Sequence, residues 1–244
     1  MAPSAEAVTL DFFNTLVYHR EGRGRGRVLM EYLKLQGLEP APWEHQVLYD
    51  VFAPHEHAYS PQAPPHERQA YYAELTARVF ERLRIPASSD DATEHAEAVW
   101  RILGSACFEI FPDALEALGA LRAGGVPVAV VSNWQSGLRH FCVELGIADF
   151  CDHVLSSADL GMAKPDEHIF LEACARLGVP PQRTLHVGDT YVDDYVGGGA
   201  AGLQVALLDR AGDTDQKAVR AIRSLTELSG LVTGRDEMGS PRAT

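Results

Sequence analysis

Residues 7–17 read AVTLDFFNTLV, and their first four letters decide the fold. Ala7 to Leu10 is a short run, apolar on both faces and containing β-branched residues, which is the pattern of a strand buried in a parallel sheet. It runs straight into Asp11, so a carboxylate stands at the carboxyl end of that strand, where open α/β sheets place their ligands. Asn14 follows where the chain must turn sharply, and Asn is the commonest non-glycine residue at positive φ. Thr15 is placed to pin the turn through its hydroxyl. A polar strand end followed by a helix-capping threonine accounts for the same letters. The weight therefore rests on whether other strands end alike.

Three do. Val126 to Val131 (VPVAVV), His153 to Leu155 (HVL), Thr184 to Val187 (TLHV) and Leu203 to Leu208 (LQVALL) are further buried-strand patterns. The second strand of the set ends in Ser132-Asn133, hydroxyl and amide donors suited to an anion. The third is followed by Lys164-Pro165-Asp166, and the fourth ends in Gly188-Asp189 with Asp193 and Asp194 just beyond. Each has a bland reading: Ser-Asn as a turn, Lys-Pro-Asp as a helix start capped by Asp166, Gly-Asp as an ordinary strand end. Four together are a far rarer coincidence. Parallel topology brings the strand ends to one edge, which predicts a single pocket holding Asp11, Ser132, Lys164, Asp189 and Asp194.

Between the strands lie helical stretches. Asp113 to Ala123 carries leucines at 115, 118 and 121, while Leu138, Phe141, Cys142 and Leu145 form an apolar stripe expected to face a sheet. Gly124, Gly146, Gly178 and Gly202 sit where helices should stop, each expected at positive φ in a C-terminal cap. Strand, helix, glycine, strand in repetition predicts an α/β fold: a Rossmann-like parallel sheet flanked by helices. Residues 19–107 break the rhythm. Val28 to Leu35, Glu44 to Phe52, Glu67 to Leu83 and Ala92 to Leu103 read as helices, with prolines at 40, 42, 61, 64 and 65 between them. They predict an all-helical insertion at 19–107 within a core made of 1–18 and 108–232. The polar stretch 233–244 is expected to be a flexible tail.

A chain of 244 residues suits one large domain, or a core plus a smaller unit. The four cysteines form no CxxC pair and suggest neither a zinc site nor a disulfide framework, only buried thiols in a reducing compartment. No secretory leader or membrane-length apolar run is legible, so a cytoplasmic location is expected. With 21 basic against 34 acidic side chains, the formal charge of −13 repels nucleic acids and anionic membranes, and neither is expected as a partner. The same field repels phosphorylated metabolites. An anionic substrate would need local cationic help.

The motifs DFFNTL (11–16), VVSN (130–133), AKPD (163–166) and HVGDTYVDD (186–194) resemble, in order and strand context, the four motifs of the haloacid dehalogenase (HAD) superfamily of aspartate-nucleophile hydrolases. The stretches 111–133 and 222–232 also resemble phosphatase-like members, and the helical insertion corresponds to the cap of the branch that inserts it after the first motif. The resemblance implies Asp11 as nucleophile, with Ser132, Asn133 and Lys164 binding the substrate's phosphoryl group. It also implies a Mg²⁺ site made by Asp11, the Phe13 backbone carbonyl, Asp189 and Asp194, with a small phosphorylated molecule as substrate. Of the adjacent pair Asp193 and Asp194, which cannot face the same way on a helix, family spacing favours Asp194. A hard cation with oxygen ligands suits that set, since two unit charges about 4 Å apart at an effective dielectric near 20 repel by roughly 4 kcal/mol.

One position departs from the family. Phosphatase members carry a second aspartate two residues after the nucleophile as general acid and base; this chain has Phe13, and a phenyl ring moves no protons. Three readings follow: a Mg²⁺-dependent phosphohydrolase helped by another proton donor or a good leaving group, a C–X hydrolase resembling 2-haloacid dehalogenases, or a catalytically weak phosphate- and metal-binding protein. Asp189 and Asp194 disfavour the second, because those dehalogenases use neutral residues there. His19, His55 and His57 are candidate proton donors, although solvated histidines are the plainer reading. The histidines of the HEH at 55–57 share a face only in an extended segment, and without further ligands no metal site is expected there. RGRGR at 23–27 reads as a solvated linker. Trp134 lines the pocket or packs beneath the insertion.

Overall fold

The computed structural model describes residues 5–20, 24–42, 44, 51, 65–134, 137–214 and 219–232. They divide into two compact units, one made of those within 1–18, 110–134 and 146–244, the other of those within 19–109 and 135–145.

The first unit is built on a six-stranded sheet. Its strands are β1 (Ala7–Leu10), β4 (Val128–Ser132), β5 (His153–Ser156), β6 (Thr184–Gly188), β7 (Gln204–Leu208) and β8 (Ala221–Ile222), in the order β5-β4-β1-β6-β7-β8. Every pairing is parallel. Such strands are covered on both faces, which is why β1, β4 and β6 read as nearly unbroken apolar runs and are buried throughout. On one face Ala7, Ala129, Val131 and Leu155 pack with Ile169, Phe170, Ala173 and Leu177 of a helix at Glu167–Leu177. Burying each large aliphatic or aromatic side chain contributes about 1.5–3 kcal/mol. The helix Pro112–Ala123 likewise buries Leu118 and Leu121 and leaves Leu115 exposed. Two short strands, β2 (Val17–His19) and β3 (Phe108–Ile110), form a separate two-stranded sheet.

The chain builds outward from β1 through β4 to β5, then returns to the other side of β1 for β6, β7 and β8. The reversal puts β1 at the topological switch point, and Asp11 at its carboxyl end stands in the crevice that such a switch opens.

The second unit is helical: α1 (Arg25–Leu35), α2 (Pro65–Arg82), α3 (Ser89–Leu103) and α5 (Leu138–Glu144), where α4 denotes the helix Pro112–Ala123 of the first unit. In α3 the residues Ala92, Ala96, Val99, Trp100 and Leu103 are buried, one stripe at helical period. Its start is fixed by a capping box, in which the Ser88 hydroxyl accepts from the Asp91 N–H and the Asp91 carboxylate accepts from the Ser88 N–H. Tyr72 of α2 stacks on Trp100, ring centroids 4.7 Å apart.

Several expectations are corrected. The stripe Leu138, Phe141, Cys142 and Leu145 belongs to the second unit, because Phe141 and His140 pack their rings against Trp100 and Glu144 accepts from the Ser105 hydroxyl. Gly146, Gly178 and Gly202 have positive φ, but Gly124 does not; Gly125 takes that role one residue later. Of the basic run at 23–27, Arg23 lies outside the described residues, yet Arg25 opens α1, donates to the Leu103 carbonyl at 2.8 Å and covers the Phe108 ring. That is an anchored helix start. Cys107, Cys142 and Cys174 are buried thiols, whereas Cys151 is only half-buried. The expected helix 44–52, apart from residues 44 and 51, lies outside the described residues, as do His55, His57 and the tail 233–244.

Candidate active site

The turn after β1 forms as its sequence suggests, but by other bonds. Asn14 sits at φ 59°, its N–H donating to the Val17 carbonyl at 2.7 Å, while Leu16 and Val17 both donate to the Phe12 carbonyl. Thr15 does not pin the turn: its hydroxyl is buried without a hydrogen-bond partner, and its contribution is its backbone carbonyl.

Asp11 extends the ladder with β6 by one residue, its N–H donating to the Val187 carbonyl at 2.9 Å, and its side chain is 9% exposed. Its Oδ1 accepts from the Ser132 hydroxyl at 2.9 Å and from Lys164 Nζ at 2.6 Å. Its Oδ2 accepts no hydrogen bond among the described residues. One carboxylate oxygen is thus held, and the other is not. Lys164 Nζ donates equally to Asp194 Oδ1 at 2.5 Å. Burial alone would lower the Lys164 pKa, but the charges of Asp11 and Asp194 outweigh it and raise the value above its ordinary 10.5. The ammonium is therefore permanent at neutral pH.

Asp194 is fixed from three sides. Besides Lys164, His186 Nε2 meets Oδ1 at 3.1 Å and the Thr190 N–H donates to Oδ2 at 2.9 Å. Since a carboxylate can only accept, His186 donates from Nε2, and its Nδ1 lies 2.9 Å from the Thr9 hydroxyl. Burial pushes the Asp194 pKa up, but the His186 hydrogen bond and the Lys164 charge prevail and hold it well below the usual carboxylate range. A wide π turn, Tyr191–Val196, follows the strand and turns Asp194 inward while Asp193 stays half-buried, its carboxylate 3.4 Å from the Asn133 amide. Gly188 makes room for this: a Cβ there would lie 2.2 Å from Asp194 Cγ.

Asn133 and Lys164 are tied reciprocally. The Lys164 N–H donates to Asn133 Oδ1 at 2.8 Å, and Asn133 Nδ2 donates to the Lys164 carbonyl at 2.9 Å. The amide expected to meet an anion instead binds the turn that carries the lysine. Trp134 is buried, its ring edge-on to Phe12 at 5.1 Å and tilted toward the half-exposed ring of Phe13 at 6.3 Å. Asp166 caps its helix through the His168 N–H, the plain role its sequence allowed. His19 packs edge-on to Phe108 in the helical unit.

Among the described residues, Asp189 is the site carboxylate with no cation beside it. Its pKa is pushed from the ordinary 3.8 to about 6, first by burial and then by the charges of Asp11 and Asp194, with the Asn14 side chain offsetting part of the rise. One oxygen each from Asp11, Asp189 and Asp194 fall within 4.8 Å of one another. The three carboxylates, with Asp193 close enough to feel Lys164, Asp11 and Asp194, outnumber the one ammonium; that excess of negative charge and the hard oxygens suit a divalent cation.

His186, Thr9 and the Thr190 N–H were not singled out from sequence. A histidine inside an otherwise apolar strand, two residues before Gly188-Asp189, was the available signal for the first.

A family model described as haloacid dehalogenase-like hydrolase matches residues 5–202. The chain is 34% identical over 139 residues to haloacid dehalogenase-like hydrolase domain-containing protein 3 of Mus musculus, covering 55% of each chain; it thus spans about half the length of that relative. It is 31% identical over 186 residues to ribulose-1,5-bisphosphate 5-phosphatase of Halopiger xanaduensis, covering 70% of this chain and 74% of that one. Among solved structures, 2-haloacid dehalogenase from Pseudomonas syringae pv. Tomato DC3000 aligns with a TM-score of 0.62 at 24% identity, over 93% of this chain and 97% of the other. At that identity the likeness speaks for the fold alone. Among the described residues, no helix is long and apolar enough to cross a membrane.

Proposed function

This chain belongs to the haloacid dehalogenase-like hydrolases, and from that premise we propose that it is a Mg²⁺-dependent phosphohydrolase acting on a small phosphorylated metabolite. The observation that carries the reading is the charge arrangement at the sheet edge. Asp11 is bonded through one oxygen only, Lys164 is fixed between Asp11 and Asp194, and Asp189 is left without a cation. A relative named as a phosphatase, 31% identical over 186 residues, supports the same reaction class.

In this reading Asp11 Oδ2 attacks phosphorus, the bond to the leaving oxygen breaks, and its electron pair departs with that oxygen. Water then attacks the phosphorus of the aspartyl phosphate, returning the Asp11 carboxylate and inorganic phosphate, and the proton that water gives up balances the one the leaving oxygen takes from solvent. Ser132 and Lys164 orient the nucleophile and offer donors to the phosphoryl oxygens. Asp11, Asp189, Asp194 and the Phe13 carbonyl would hold Mg²⁺; Asp194 Oδ2 accepts a single hydrogen bond, from the Thr190 N–H, and keeps a lone pair for the ion. The ion, when bound, neutralises the anionic nucleophile and substrate. The helical unit serves as the cap and carries substrate choice. The partner is a small molecule, and a cytoplasmic setting belongs to the same reading.

The test is turnover of acyl phosphates, sugar phosphates and an aryl phosphate, each with and without Mg²⁺. Phosphate release that requires the ion is expected. Metal-independent halide release from 2-haloacids would overturn the proposal. Phe13 favours a second reading, a weak catalyst that binds phosphate, because its ring stands two residues from Asp11 where an acid would serve. Binding of an aspartyl-phosphate mimic without any turnover would favour that one.

A further inference from the structure

Arg210 lies two residues beyond β7, outside all four motifs, and its side chain is three-quarters buried. Its Nη1 donates to Asp113 Oδ2 at 2.8 Å, its Nη2 donates to the Thr15 carbonyl at 2.9 Å, and its guanidinium covers the Phe111 ring at 3.8 Å from the centroid. Among the described residues its Nε is buried without an acceptor, and its hydrogen bonds come from the two Nη groups. Asp113 is itself held. The same Oδ2 accepts from the Ser224 hydroxyl at 3.0 Å and from the Leu225 N–H at 2.9 Å. Burial pushes the Asp113 pKa up, but Arg210 and the Leu225 and Ser224 hydrogen bonds prevail and keep it low, so the carboxylate stays ionised.

The far end of this clamp is the turn that follows the nucleophile. Thr15 is four residues from Asp11 and directly after Asn14, whose left-handed backbone needs a fixed neighbour to hold it. The Leu16 carbonyl next in line accepts from the Phe111 N–H at 3.0 Å, so the turn is gripped at consecutive carbonyls from one side. We propose that Arg210 is a positioning residue for the reaction, bracing the 12–17 turn against Asp113 and the 224–225 segment so that Asp11, Phe13 and Asn14 keep their places beside Asp189. Its rate effect rests on the phosphohydrolase reading; the brace itself does not.

The geometry demands a forked cation. A lysine ammonium can reach Asp113 or the Thr15 carbonyl but cannot supply two coplanar donors to both. Arg210 also lines a cavity of about 540 Å³ together with Asn14 and Asp189, which leaves a path by which a small planar cation can replace a deleted side chain.

The experiment compares wild type with Arg210→Lys and Arg210→Ala by three measurements: melting temperature, hydrogen exchange of peptides covering 12–17, and kcat and KM for a turned-over phosphate ester. Both variants are expected to exchange faster in 12–17 and to lose about 10- to 100-fold in kcat, with KM within about twofold, since small misplacements cost that much. Guanidinium, well below denaturing concentrations, should restore part of the Arg210→Ala rate, while an ammonium ion should not. If either variant fails to fold, Asp113→Asn loosens the same clamp and should move both readouts in the same direction by less. Unchanged exchange in 12–17, or a rate loss that only follows the melting temperature, would overturn the proposal. If wild type turns over no phosphate ester, the phosphohydrolase reading fails, and the exchange comparison still decides the brace.

Discussion

Phe13 concentrates the chemical question in one side chain. Phe13 is 36% exposed and its ring is tilted toward Trp134, so a polar side chain at this position keeps access to solvent. Phe13→Asp should therefore leave the fold intact while placing a carboxyl group two residues from the nucleophile. Phosphohydrolase kcat is expected to rise by about 10²- to 10⁴-fold, the usual worth of a positioned proton donor. Steady-state rates with a sugar phosphate, whose leaving alkoxide needs the proton most, provide the check; no gain would mean that the surrounding groups serve another chemistry. At this scale the sequence was legible where a residue ended a strand. Asp11, Ser132, Lys164, Asp189 and Asp194 all come together as expected. Thr9, His186 and Arg210 were not legible, because each acquires its meaning from a partner far along the chain: Thr9 and His186 are 177 residues apart, and Arg210 and Thr15 are 195 apart.

Between residue and fold, the decisive element is the end of β6 with the π turn after it. Thr190 caps Asp194 through its N–H, and Asp194 in turn places Lys164, so the geometry of that turn is transmitted to Asp11. Gly188→Ala would place a Cβ against the Asp194 carboxylate, which is 1% exposed and has nowhere to retreat. The expected cost is about 1–3 kcal/mol of stability, as for other overpacked cores, read as a lower denaturant midpoint. A larger loss of kcat than of folded fraction is also expected. Wild-type activity in the folded variant would show that Asp194 does not need this seat. The π turn was invisible in the sequence, since HVGDTYVDDYV suits an ordinary helix start and only the packing of Asp194 selects the wider turn. The helix Leu138–Glu144 shows the converse limit. Its apolar stripe was read correctly, but a stripe does not say which partner will cover it, and Trp100 rather than the sheet does so.

For the whole molecule, the −13 charge sets a problem that the carboxylate cluster makes acute. In the metal-free protein the folded-state pKa of Asp189 is raised from 3.8 to about 6. A carboxyl raised on folding binds its proton more tightly in the native state, so its ionisation destabilises the fold increasingly from about pH 4 to about pH 6 and fully above that. Asp113 and Asp194 are shifted the other way and add stability that is lost only on acidification below the ordinary carboxylate range. Mg²⁺ should relieve the Asp189 penalty, because it stabilises the folded state by mass action and must compete with the proton for that carboxylate. The increase in melting temperature caused by saturating Mg²⁺ is thus expected to be small near pH 5, to grow through about pH 6, and to level off above about pH 7. In Asp189→Asn the metal-free protein should melt higher than wild type at neutral pH, and the pH-dependent part of the Mg²⁺ effect should disappear. Thermal melts of both proteins across that range, with Mg²⁺ or with chelator, decide it. A Mg²⁺ shift that is equal at pH 5 and pH 7, or that survives the substitution, would remove Asp189 from the ion's coordination and with it the charge balance on which the phosphohydrolase reading stands.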